Sequence, residues 1–246
     1  MPTRDRAPEG VLRLRAPNPS ALTLDGTNTY LVEGWVVDPG PDVPEHVDAI
    51  LSAAEPAGVA GIVLTHSHSD HDEAAGTLAA RAGGVEVVRP SEGDRVGPFE
   101  ALFTPGHSPD HVCLLRDRAC FTGDTVLGKG SVFVGSDGGS LADYLDSLHR
   151  LRELDIEVIC PGHGPFVWNP HERIDLYVQH RLQRELFVLG AIESGATTRD
   201  EILERAWADT DLGADPMLRW AAKQALNAHL EKLRDDGRLP PDVPAD

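Results

Sequence analysis

Cysteine, lysine, long apolar runs and positive charge are all scarce in this 246-residue chain, and each scarcity closes off a class of protein. The three cysteines, Cys113, Cys120 and Cys160, sit inside apolar strand-like runs without Cys-x-x-Cys spacing. They carry no redox or zinc-knuckle signature and read as reduced core residues. Lysine occurs only as Lys129, Lys223 and Lys232 among 22 basic residues, a bias to which no mechanism attaches. No uninterrupted apolar stretch is long enough to span a bilayer, and Met1 to Glu9 is polar and proline-broken, without an apolar targeting segment. The expectation is a soluble, cytoplasmic protein with no membrane partner. The formal net charge is −18, with 12 basic against 25 acidic residues through residue 170 and 10 against 15 beyond it. Nucleic-acid binders gain much of their affinity by neutralising phosphates with Lys and Arg, so both halves count against tight polyanion binding.

What the chain has is histidine in an unusual density. Thr65-His66-Ser67-His68-Ser69-Asp70-His71 packs three histidines and a carboxylate into six consecutive positions. Side by side they would strand ring nitrogens unless something held them, and a divalent cation is the natural partner. The preceding Ala60 to Leu64 is a short apolar run that reads as a buried strand, and Glu73 to Ala82, ending at Gly83-Gly84, reads as a helix. His66 and His68 then point one way from the strand end, while Asp70 and His71 sit at the helix entrance and face a second position.

Three further turns repeat the arrangement. Thr104-Pro105-Gly106-His107, Thr122-Gly123-Asp124-Thr125 and Pro161-Gly162-His163-Gly164 follow the strand-like runs Glu100 to Phe103, Arg118 to Phe121 and Ile156 to Cys160. Singly, His107, Asp124 and His163 read as turn or capping residues. In this order and together with the histidine segment, they read as ligands brought to one edge of a sheet.

This pattern, H-x-H-x-D-H followed by His, Asp and His at strand ends, resembles the metallo-β-lactamase superfamily over residues 20 to about 170. Leu24-Asp25-Gly26-Thr27-Asn28-Thr29-Tyr30-Leu31, Val37-Asp38-Pro39-Gly40 and Pro161 to Pro165 followed by Asn169-Pro170 are similar to the β-lactamase-like protein 2 group. The resemblance implies an α/β fold, an αββα sandwich over residues 1–170 with two zinc ions, and a small helical winged-helix-like domain over 171–246. It implies that His66, His68 and His107 hold one zinc, that Asp70, His71 and His163 hold the other, and that Asp124 bridges both. A hydroxide shared by the ions would be the nucleophile, and Asp70 would orient it and handle its proton. The aspartate at 124, where secreted β-lactamases of one class use a cysteine among their ligands, disfavours antibiotic hydrolysis. It also admits iron or manganese, although five histidines favour zinc.

Outside the ligand set, His111 reads as a residue that fixes the ligand loop or as a substrate contact, the former preferred. His46, His149, His171, His180 and His229 are expected at the surface. Gly128 to Ser140 is too rich in glycine for an element interior and reads as a loop flanking the substrate entrance. Leu141 to Leu154 reads as an amphipathic helix, and Asn169-Pro170-His171-Glu172 as the capped start of another. On that helix Ile174, Val178, Leu182, Leu186 and Leu189 are expected to be buried, with Arg173, Tyr177, His180 and Arg184 opposite. The basic stripe either meets a phosphate backbone or is simply solvated. Helices at Thr197 to Trp207 and Asp215 to Asp235, a stop and truncated wing near Gly237, and a frayed Leu239 to Asp246 complete the chain.

Three functions stay open at this stage, in this order. The first is an endoribonuclease-like phosphodiesterase acting on single-stranded RNA, contacted through His111, Arg173, His180 and Arg184. The second is a hydrolase of a small-molecule ester or thioester, resembling the glyoxalase II group but lacking its tyrosine-containing continuation after the last ligand. The third is a non-catalytic nucleic-acid-binding module. A homodimer is compatible with all three.

Overall fold

The computed structural model describes residues 6–135, 138–212, 216–240 and 243. Its first sheet runs β1 (Val11–Arg15), β2 (Asn28–Val32), β3 (Trp35–Val37), β4 (Gly61–Val63) and β5 (Val87–Val88) in spatial order. β1, β2 and β3 pair antiparallel, β2 and β3 through a tight turn at Glu33-Gly34, whereas β3, β4 and β5 are parallel. Parallel neighbours need crossovers, and these are helical. α1 (Pro44–Ala53) links β3 to β4, while α2 (Ser69–Asp72) and α3 (Ala75–Arg81) link β4 to β5. The helix expected over Glu73 to Ala82 is α3, and ahead of it Ser69-Asp70-His71-Asp72 forms a short helical turn of its own.

The second sheet is β10-β9-β8-β7-β6. Its strands are β6 (Arg95–Val96), β7 (Phe99–Phe103), β8 (Val112–Arg116), β9 (Ala119–Gly123) and β10 (Val158–Pro161). Only β9 and β10 are parallel, and α4 (Leu141–Arg152), capped by the Ser140 hydroxyl accepting from the Asp143 amide, makes that crossover. The inner faces meet through Tyr30, Val32 and Val63 from one sheet and Phe99, Leu114 and Phe121 from the other. Each such buried side chain contributes about 1.5–3 kcal/mol. Helices α1 and α3 cover the outer face of the first sheet, and α4 covers that of the second. The result is the four-layer α/β/β/α arrangement expected from the sequence.

After β10 the described residues form three helices, α5 (Pro170–Glu193), α6 (Arg199–Ala206) and α7 (Pro216–Asp235), and no strand. Ile174 and Tyr177 join the α4 cluster, whereas Val188, Ile202, Leu203, Leu226 and Leu233 form a cluster of their own. The buried face of α5 is not the expected one. It carries Ile174, Tyr177, Arg181, Arg184, Val188 and Ala191, while Leu182 and Leu186 are 45% and 62% exposed. The arginines go inside because their guanidinium groups find acceptors there, Val132 O for Arg181 and Ala206 O with Asp209 for Arg184. Asn169 does not cap α5; its amide donates to Glu172 instead, and the capping box forms at Thr198 and Glu201. His46 and His229 are buried rather than at the surface, the former bonded to the Thr29 hydroxyl. Val243 packs in the α5–α7 cluster, contrary to a frayed end, although residues 241–242 and 244–246 lie outside the described residues. No helix among the described residues is long and apolar enough to cross a membrane.

Candidate metal centre

The histidine segment follows β4, His107 follows β7, Asp124 follows β9 and His163 follows β10, so four turns meet at one end of the paired sheets. Two glycines permit the approach. The β9–β10 register shifts between Cys160 and Pro161, which sets Pro161 opposite Gly123, and the next amide, that of Gly162, bonds to Gly123 O at 2.7 Å. A Cβ on Gly162 would lie 2.5 Å from Asp124 Oδ1 and 2.6 Å from His71 Cε1. One on Gly123, at φ +43°, would lie 2.5 Å from Thr65 Oγ1. No larger residue fits at either place.

The seven candidates converge as two sets. His68 Nδ1 lies 3.1 Å from His66 Nε2 and 2.9 Å from His107 Nε2. His163 Nε2 lies 3.2 Å from Asp70 Oδ2, and His71 Nε2 lies 3.7 Å from the same oxygen. Asp124 stands between them, Oδ2 being 3.8 Å from His107 Nε2 and 3.4 Å from His163 Nε2, and Oδ1 3.5 Å from His71 Nε2.

The far side of each ring decides which nitrogen faces inward. His66 Nδ1 donates to the Thr65 hydroxyl at 3.0 Å, His71 Nδ1 to Asp38 Oδ2 at 2.9 Å and His107 Nδ1 to Phe133 O at 2.8 Å. Their Nε2 lone pairs are therefore aimed at the cluster. In the first set His68 has one Nδ1 hydrogen at most, so it can serve only one of its two neighbours and a lone pair is left facing another. In the second set His71 Nε2 and Asp124 Oδ1 are buried without a hydrogen-bond partner. Converging lone pairs and buried polar atoms without partners are what a cation satisfies, so the donor set fits divalent metal.

Electrostatics separate the two sets. Burial, reinforced by the neighbouring imidazoles, holds His66 well below the usual histidine range, and burial lowers His107 as well. For His71 burial is outweighed by the Asp124 and Asp38 carboxylates, which raise it well above its ordinary value. Burial also opposes the charged form of His163, yet Asp124 and Asp70 bring it up to about 9. Asp124 is held well below the carboxylate range by His163 and His71 despite its burial. In metal-free protein at pH 7, His163 thus carries a proton that a metal must displace. Loading should release at least about one proton per chain at pH 7 and weaken as pH falls. Titration calorimetry in buffers of different ionisation enthalpy reads this directly, and proton-free loading would contradict it.

Two contributors were not singled out from the sequence. Asp38, at φ +49°, accepts from the Thr65 amide and hydroxyl as well as from His71. It lies in the Val37-Asp38-Pro39-Gly40 motif, whose Asp-Pro-Gly run by itself signals only a turn. Arg181 is the other, lining the cleft described next. His111 is fully buried, its Nε2 accepts from the Asp124 amide, and its Nδ1 meets the hydroxyls of Thr104 and Thr125. With both nitrogens engaged and its pKa lowered by burial to about 3, it holds the Asp124 turn and does not face a substrate.

The centre opens into a cavity of about 350 Å³. His68, Asp70, His107, Asp124 and His163 form its polar floor, and Leu22, Leu127, Val132, Trp207, Leu218 and Ala222 are among its apolar walls. The 131–134 segment of the expected entrance loop lines it, residues 136–137 lying outside the described ones. The expected basic stripe does not. Arg173 donates to Leu127 O and Gly130 O, Arg184 is bound by Ala206 and Asp209, and His180 is exposed away from the cavity lining.

A four-layer α/β fold with a histidine–aspartate metal centre at its sheet ends defines a metal-dependent hydrolase. The chain belongs to the metallo-β-lactamase superfamily, whose pattern matches residues 22–101 and 91–163. It is 31% identical to "Beta-lactamase-like protein 2 homolog" of Caenorhabditis elegans, over 95% of this chain and 87% of that one. It is 28% identical to "Atrochrysone carboxyl ACP thioesterase" of Aspergillus fumigatus, over 96% and 84% respectively. Among solved structures, a β-lactamase domain protein from Burkholderia ambifaria superposes with a TM-score of 0.79 at 23% identity, covering 94% of this chain and 88% of that one.

Proposed function

We propose that the chain hydrolyses the thioester or ester of a small, largely apolar acyl compound, with two divalent cations, zinc foremost, as cofactors. His66, His68 and His107 would hold one, Asp70, His71 and His163 the other, and Asp124 both. Bound there, such ions bring the pKa of water down to about 7 and take up negative charge developing on a substrate oxygen. The observation that carries the substrate class is the cavity, whose walls beyond the metal centre are mainly apolar. They fit an acyl chain and exclude water around the reacting carbonyl. Asp70, which borders the cavity with its side chain 29% exposed, is placed to accept the proton of the attacking water and return it to the leaving group. The acyl carbon gains the water oxygen, its bond to sulfur or oxygen breaks, and an acid and a thiol or alcohol leave.

The thioesterase name of the Aspergillus relative supports this reading. Single-stranded RNA, ranked first on resemblance, has less in its favour. The net charge is −18, and Arg173 and Arg184 are engaged inside the protein. The test is a panel of an acyl N-acetylcysteamine thioester, a glutathione thioester, single-stranded RNA, a bis-aryl phosphodiester and a β-lactam, with wild type and Asp124→Ala. The acyl thioester should be hydrolysed by wild type alone. Cleaved RNA beside intact thioesters would restore the phosphodiesterase reading.

A further inference from the structure

α5 brings to the cleft a buried charge that no carboxylate among the described residues meets. Arg181 is 6% exposed and lines the same cavity as Asp70, Asp124 and His163. Its guanidinium donates to Val132 O through Nη2 and lies 5.5 Å from the centre of the Tyr144 ring. Its Nε has no hydrogen-bond partner, and among the described residues no carboxylate pairs with it. Its neighbours on the helix are treated differently. Arg184 meets Asp209, and the buried Glu185 meets both Lys232 and Arg238.

A guanidinium cannot shed its proton, so burial without a counter-ion is costly unless a ligand supplies one. Among the described residues, no other lysine or arginine lines the cavity. A single planar fork suits one carboxylate, whereas a polynucleotide backbone calls for repeated cations.

We propose that Arg181 is the specificity-determining residue of the cleft, and that the substrate is an acyl thioester or ester whose acyl part carries a carboxylate paired with this guanidinium. The reading rests on the hydrolase function above and adds the chemical class of the acyl group. It also gives the inward placement of Arg181 a use that a stability role alone does not, since a buried apolar side chain would pack against Tyr144 without leaving Nε stranded.

The test compares the N-acetylcysteamine thioesters of adipate and hexanoate, equal in chain length and differing by one terminal carboxylate, on metal-loaded wild type, Arg181→Met and Arg181→Lys. Wild type should favour the adipoyl thioester by at least about tenfold in kcat/KM, expressed mainly in KM, as expected for one charge-assisted pair. The ratio should fall to near one in Arg181→Met and recover only in part in Arg181→Lys, whose ammonium lacks the fork. Loss of the Val132 contact alone would slow both substrates together and leave the ratio unchanged.

A second measurement needs no variant and no turnover. On chelator-treated wild type, monomethyl adipate should bind more tightly than methyl hexanoate by ligand-observed NMR, since with the first carboxyl blocked the two differ only in the terminal carboxylate. Equal kcat/KM for the two thioesters in wild type, or a ratio unmoved in Arg181→Met, overturns the proposal and leaves the hydrolase reading standing. If neither thioester is hydrolysed, the hydrolase reading falls. Tighter binding of monomethyl adipate than of methyl hexanoate would then still support the carboxylate subsite, and equal binding would overturn it.

Discussion

Asp124→Ala should lower hydrolysis by on the order of 10²–10³-fold or more, the range seen when one preorganised electrostatic group is removed from an active site. Asp124 is the group that touches both ligand sets, within 3.8 Å of His107, 3.4 Å of His163 and 3.5 Å of His71. In the proposed two-metal centre, neither position would then have its full donor set. The fold should survive, because the Asp124 amide, not its carboxylate, bonds His111, and the turn is also closed by the Thr125 amide on Thr122 O. Asp124→Asn should be nearly as inactive, since it preserves shape but removes the charge and can turn N–H groups toward imidazole nitrogens.

A further signature is independent of turnover. His163 owes its pKa of about 9 to Asp124 and Asp70, so in metal-free protein its titration should move down in either variant. The sign for stability follows. A raised histidine pKa stabilises the metal-free fold fully below the ordinary value of 6.5, and that contribution disappears as pH rises through about 9. The variants should lose this part of the pH dependence. Full metal content by elemental analysis together with wild-type turnover in Asp124→Ala would refute the bridging role.

The candidate ligands were legible in the sequence because each is a local event, a turn closing an apolar run, and their order could be read without knowing where the strands lie. Asp38 was not legible in that way. An Asp-Pro-Gly turn reads as a turn, and its reach to Thr65 and His71 appears only when β3 is known to run parallel beside β4, with Val37 opposite Val63. The face of α5 failed for a different reason. Ile174, Tyr177, Arg181, Arg184, Val188 and Ala191 have helical spacing, but a hydropathy count puts arginine outside. It misses that a long apolar stem with acceptors at its tip can be buried. Arg181 enters the cleft for that reason, whereas His46 and His229 are interior through packing between elements, His46 against the Thr29 hydroxyl.

Asp38 is where that distant pairing has its largest expected consequence. The carboxylate is 2% exposed, with Oδ1 accepting from the Thr65 amide at 2.8 Å and Oδ2 from the Thr65 hydroxyl at 2.7 Å and His71 Nδ1 at 2.9 Å. Thr65 in turn receives His66 Nδ1, and its carbonyl accepts from the Val112 amide, joining the start of the histidine segment to the second sheet. Asp38→Ala strands these donors in the interior and should cost about 3–5 kcal/mol in unfolding free energy, measured by urea denaturation. Metal affinity should fall by roughly 10–100-fold, as when a carboxylate that orients a ligand histidine is lost. Asp38→Asn separates the two effects. Its carbonyl can still accept from the Thr65 amide, but its amide N–H would meet His71 Nδ1, so that nitrogen must become an acceptor and the ring proton must move to Nε2. That proton then points at Asp124 and occupies the direction a metal needs. Asp38→Asn should therefore unfold closer to wild type than Asp38→Ala while binding metal as poorly, and an Asn variant that loads two metal ions at wild-type affinity would show that His71 does not depend on this carboxylate for its orientation.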